Sequence, residues 1–157
     1  MKIGRVESII YGVADMDTGV RYFQDWGLTL QSRDAAVATF NMPSGQTVVL
    51  KPASDPSLPS SPFKGGPTVR EVIWGVDTQA SLKEMHQELA RDREVKVDAD
   101  GTLHAYDDLG FGIGFRVING VYPPKPAGKK MNMPFDPPRS AKPQRIGHVV
   151  YSIQREI

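Results

Sequence analysis

Apolar positions recur along this chain as a phrase written three times: RVESIIYGV at 5–13, VREVIWGV at 69–76 and RIGHVVYSI at 145–153. β-branched and aromatic residues dominate each copy, which predicts three similar strands. After the first copy the period changes. Asp15 and Asp17 can each cap a helix, and Val20, Phe23 and Trp26 follow at a spacing of three, giving an apolar stripe on a helix that Gly27 ends. Three short strands are predicted next, over 28–32, 36–41 and 46–51, with Pro43, Ser44 and Gly45 as the turn before the last. The second copy leads into the same order. Thr78 is the N-cap, Leu82, Met85 and Leu89 share one helix face, and strands follow over 95–98, 102–106 and 112–118 with a turn at 107–110.

The chain is therefore expected to be an α+β protein of two tandem βαβββ modules. A whole supersecondary unit lies inside each period, which means duplication of a module and not a solenoid. The expected boundaries are 1–52 for the first module, 53–67 for a Pro/Gly/Ser-rich bridge and 68–119 for the second module, the two modules making one domain. A linker follows over 120–144, and 145–157 reads as the first strand of a third, incomplete module. The stretch 120–143 holds seven prolines and almost no periodicity, so its Lys125, Lys129, Lys130, Arg139 and Lys142 belong to a solvated connector. The apolar strand from Ile146 to Ile153 lacks the elements that would cover it. It should be disordered, pair with its own domain or join a neighbouring molecule, and a homo-oligomer is expected.

Composition narrows the function classes. With 39% hydrophobic and 24% charged residues over 157 positions, the chain is ordinary for a globular protein. A net charge of +1 gives no electrostatic reason to expect nucleic acid, and no apolar run is long enough to span a bilayer. The absence of cysteine leaves only oxygen and nitrogen as metal donors, and it fits the cytoplasmic location expected from a start without a secretory h-region. No P-loop, dinucleotide fingerprint, nucleophile elbow or zincin motif is present.

Superposing Tyr11, Trp74 and Tyr151 puts Ser8, Glu71 and His148 at one position of the repeated strand. The other eye-catching residues have plainer readings. His86 is a solvent-exposed helical histidine, and His104 is a strand histidine held by a hydrogen bond. Asp107 and Asp108 serve turn chemistry, and Trp26, Trp74, Phe40, Phe111 and Phe115 belong to the core.

The element order of the whole chain, and the IGHVVY motif at 146–151, resemble the vicinal oxygen chelate superfamily. That superfamily includes glyoxalase I, bleomycin-resistance proteins and type I extradiol ring-cleavage dioxygenases, and the chain is most like the N-terminal domain of the last. The resemblance implies mixed sheets that curl around a metal or ligand cavity. It also implies a ligand histidine on the first strand of a metal-binding module and a ligand glutamate on the last. Alignment through Gly45 and Gly110 puts Val49 and Gly114 at the last-strand positions. Two or three convergent donors are needed to hold Fe(II), Mn(II) or Zn(II), and Glu71, the remaining candidate, does not supply them alone. No catalytic residue and no cofactor are thus expected within this chain. The resemblance makes His148 the first ligand of an Fe(II) (or Mn(II)) site in a longer parent, acting on a small catecholic substrate. Two alternatives stay open: a self-contained binder of small molecules, like the bleomycin-resistance branch, and a glyoxalase- or isomerase-like metalloenzyme.

Overall fold

The apolar stripes of both modules settle on one side of a single sheet. The computed structural model of the protein describes residues 2–61, 69–118 and 142–150. The first module runs β1 (Ile3–Val13), α1 (Met16–Asp25), β2 (Thr29–Arg33), β3 (Ala38–Asn41) and β4 (Thr47–Pro52). The second repeats it as β5 (Val69–Val76), α2 (Gln79–Leu89), β6 (Lys96–Val97), β7 (Leu103–Tyr106) and β8 (Gly112–Val117). The eight strands form one open mixed sheet in the order β2-β3-β4-β1-β5-β8-β7-β6. Within each module the first and last strands are parallel, and the modules join where β1 and β5 pair antiparallel.

Local chemistry fixes the element ends. Asp15, and not Asp17, caps α1: its Oδ1 accepts from the Thr18 N–H at 2.8 Å. Thr78 caps α2 in the same way, its hydroxyl accepting from the Ser81 N–H at 3.1 Å. Gly45 and Gly110 close the turns before β4 and β8 with φ of 79° and 84°, a left-handed backbone that costs glycine nothing. Each helix then lays its apolar face on its own module. Val20 and Phe23 pack on Phe40, Val48 and Leu50, while Leu82 and Met85 pack on Leu103 and Phe115. Burying a side chain of this size contributes about 1.5–3 kcal/mol. A third cluster, Val6, Ile9 and Val72, lies at the junction of the modules.

Trp26 departs from the sequence expectation. It is 64% exposed and stacks on Tyr22, with ring centroids 6.0 Å apart. The reason is helical geometry: positions three apart drift by about 60° at each step, so a third member leaves the face that the first two bury. Phe40, Phe111 and Phe115 are buried as expected.

Residues 142–150 carry neither helix nor strand, and the rest of the third copy lies outside the described residues, as does 119–141. The segment is fastened to its own domain mainly through Gln46, with the Ser44 N–H also donating to the Gln144 carbonyl at 3.3 Å. Gln46 Oε1 accepts from the Ile146 N–H at 2.9 Å, and Gln46 Nε2 donates to the Ile146 carbonyl at 3.1 Å and to the Val6 carbonyl at 2.5 Å. Ile146 packs over the first-module and junction clusters, so the segment lies on the helix side of the sheet. Gln46→Leu removes these bonds and leaves polar backbone atoms without partners, at a cost of about 1–3 kcal/mol. Trypsin should then cut after the exposed Arg145 faster than in the parent protein, as read by mass spectrometry of timed digests; an unchanged rate would show that Gln46 does not hold the segment.

Candidate functional site

The strand register gives the repeat a structural meaning. Tyr11 pairs with Leu50 where Trp74 pairs with Phe115, and Ser8 pairs with Thr47 where Glu71 pairs with Gly112. Across the junction the pairing is symmetric about Ile9 and Val72, with Ile10 opposite Glu71 and Ser8 opposite Ile73. Ser8 and Glu71 are therefore equivalent, and so are Val49 and Gly114. Alternation along the strands puts all four on the face away from the helices.

Glu71 is the centre of that face. It is 3% exposed, and its Oε1 lies 2.8 Å from His104 Nδ1. The other ring nitrogen, Nε2, lies 3.0 Å from Asp98 Oδ2 on the exposed rim. His104 reaches Glu71 from β7 by crossing β8 at Gly114, its register partner. A Cβ at Gly114 would sit 2.3 Å from Ile73 Cδ1, 2.9 Å from the Leu103 carbonyl and 3.3 Å from Glu71 Oε1. The glycine is thus the gap through which the two side chains meet.

The Glu71 hydrogen bond and the charges of Glu71 and Asp98 raise the His104 pKa, against the opposing effect of burial. With a carboxylate at each nitrogen the protonated ring can donate twice, and in that form it has no lone pair to offer. The donors at this site do not fit Fe(II) or Mn(II). The histidine occupies the near oxygen of Glu71, and Asp98 stands on the far side of the ring. Among the described residues no group of three or more histidines and carboxylates is placed to hold a metal. The face can therefore hold a proton between two acids, with one acid open to solvent.

In the first module the equivalent position is quieter. Thr47 Oγ1 donates to the Ser8 hydroxyl at 2.9 Å. Next to it lies a cluster that the sequence reading missed. Glu7 is wholly buried; its Oε1 accepts from Arg5 Nε, and its Oε2 lies 3.5 Å from Arg116 Nη2. Arg5 Nη1 also donates to the Ser44 carbonyl at 3.1 Å. Glu7 gets there because β1 bulges between Val6 and Ser8, which turns the extra residue over Gly75. Its repeat mate Arg70 bulges from β5 and lies over Gly12 in the same way. The available signal was charge in an apolar strand: Arg5 and Glu7 bracket Val6.

The remaining candidates stay apart. His148 is exposed on the 142–150 segment, on the other side of the sheet from the helix-distant face that holds Glu71. His86 is half-buried on α2 and was expected to be exposed. Asp107 Oδ1 accepts from the Leu109 and Phe111 N–H groups at 2.9 Å, the turn role expected of it, and Asp108 pairs with Arg93 at 3.1 Å. Among the described residues no helix is long and apolar enough to cross a membrane.

This architecture is that of glyoxalases and extradiol dioxygenases. The Mn(II)-bound glyoxalase from Novosphingobium aromaticivorans superposes with a TM-score of 0.55 at 16% identity, over 73% of this chain and 38% of that one. An extradiol ring-cleaving dioxygenase from B. fuscum gives 0.57 at 18% identity, over 77% and 34% of the two chains. Homoprotocatechuate 2,3-dioxygenase from Arthrobacter globiformis gives 0.56 at 17%, over 74% and 36%. The chain thus spans little more than a third of the length of these structures. At such identities the likeness defines the fold alone, paired βαβββ modules. No protein-family model matches the sequence, and no curated protein matches it significantly.

Proposed function

We propose that this chain is a metal-free paired-module domain of a dioxygenase-like protein, one that supports the oxygen chemistry of another domain and does not perform it. The observation that carries this reading is the content of the four ligand positions. Ser8 is bonded to Thr47, Val49 and Gly114 have no donor side chain, and Glu71 is bound to His104. The shares of length matched in the dioxygenases, 34% and 36%, fit a role as one part of a larger protein. In that protein His148 would begin the metal-bearing part, with Fe(II) or Mn(II) as its metal and a small catecholic aromatic as its substrate.

The test is the native gene read past the Ile157 codon, together with metal analysis of the purified chain. Further sequence coding for a helix, three strands and another module with histidine and glutamate at the aligned positions is expected, as is only a trace of iron or manganese on this chain. A stop codon directly after Ile157, or a full equivalent of bound metal, would overturn the reading.

A further inference from the structure

The exposed Trp26 belongs to a feature that the proposed function leaves unused. Between α1 and the end of β1 lies a cavity of about 490 Å³, walled by Tyr11, Val13, Tyr22, Phe23 and Trp26, with Asp15 at its edge. That volume falls within the range of about 300–1,000 Å³ usual for small-molecule sites. Tyr22 and Trp26 are 56% and 64% exposed, and their rings stack at an interplanar angle of 24°. Tyr11 lies 5.2 Å from Phe23, and Phe23 lies 5.2 Å from Tyr22, so the four rings are contiguous. Tyr22 and Trp26 leave this ring array open to water, a platform on which a flat ring can stack.

The charge of the lining selects the class of ligand. Among the described residues that line the cavity, Asp15 is the one that carries a charge. Its bonds to Thr18 hold its carboxyl below the usual range, so it is ionised at neutral pH. Burial, and then the nearby Tyr22, push the Tyr11 hydroxyl up, so it stays neutral there. Arg33 lies close enough to favour the ionised Asp15, but its guanidinium is bonded to Asp17. Among the described residues no lining side chain is basic, so an anion finds no counter-charge among them. A flat cation finds aromatic faces, which attract positive charge, and a carboxylate beside them. We infer that this cavity binds a flat aromatic cation, stacked on Tyr22 and Trp26 with its charge toward Asp15.

The protein reports on this itself, because it has two tryptophans and only Trp26 lines the cavity. In ¹⁵N-labelled protein the indole N–H of Trp26 should shift saturably with 1-methylquinolinium while that of Trp74 stays still. Neutral 1-methylnaphthalene should bind about fivefold more weakly, and naphthalene-1-carboxylate more weakly again. Asp15→Asn keeps a good N-cap; it should weaken the cation by about three- to fivefold and leave the neutral ligand unchanged. Trp26→Ala, a change at an exposed site, should weaken both. Equal affinity for cation and neutral isostere, indifference to Asp15→Asn, or a response confined to Trp74 would overturn the inference. So would a Trp26 shift on concentrating the protein alone, which would assign the groove to a second copy of the chain.

Discussion

Glu7→Gln is expected to destabilise the fold by about 3–5 kcal/mol, the usual cost of removing one partner from a buried ion pair. The Arg5 side chain is 2% exposed and that of Glu7 is 0% exposed, so neither charge has water to fall back on. Arg5 would keep its bond to the Ser44 carbonyl but lose its counter-ion, and Arg116 would lose the nearest carboxylate. Most of the loss is therefore the cost of a buried cation deprived of the Glu7 carboxylate, which the double variant Glu7→Gln/Arg5→Met should partly recover. Urea midpoints at constant slope measure both. A single-variant loss under about 1 kcal/mol would mean that water enters the cluster.

His104→Leu is expected to cost a similar amount, about 3–5 kcal/mol, because it strands Glu71, which is 3% exposed. The partner test is Glu71→Leu in the same protein, which should restore part of the loss. This pair also carries a pH signature. The folded protein holds the His104 proton more tightly than the unfolded chain does, since the folded pKa is raised. Its contribution is thus fully present below the ordinary histidine value of about 6.5 and is lost as pH rises through the higher folded value. Denaturation midpoints of the parent protein minus those of His104→Leu, followed upward from pH 6, should shrink. A difference that grows with pH would mean that the ring is neutral in the fold.

Both effects rest on residues of unequal legibility. The first two copies of the repeated phrase, the capping residues Asp15 and Thr78, and the turn glycines Gly45 and Gly110 are local signals, and the elements that they predict form within a residue or two of the expected ends, whereas the described part of the third copy forms no strand. The equivalence of Ser8 with Glu71 was also readable, because aligned strands keep their register. What joins Glu71 to His104 was not. That contact spans 33 residues and crosses β8, and it exists only because Gly114 is small. Glu7 was hidden for a different reason. A bulge reverses the side on which a side chain emerges, and simple alternation does not foresee it. Trp26 was misplaced because a spacing of three imitates a stripe for two positions and leaves it at the third.

The paired bulges carry a lesson about assembly. Glu7 and Arg70 hold the same place in their modules, yet they bear opposite charge, and Glu7 faces Arg116 on the last strand of the other module. By the symmetry of the junction, a second module paired with a copy of itself would bring Arg70 up to Arg116, cation against cation, at a partly buried place. Juxtaposed like charges of that kind cost several kcal/mol. Pairing of the second module with a copy of itself through β5 is thus disfavoured, while pairing with the first module brings a carboxylate to Arg116. Divergence of a single bulge residue has turned two similar halves into a lock and a key.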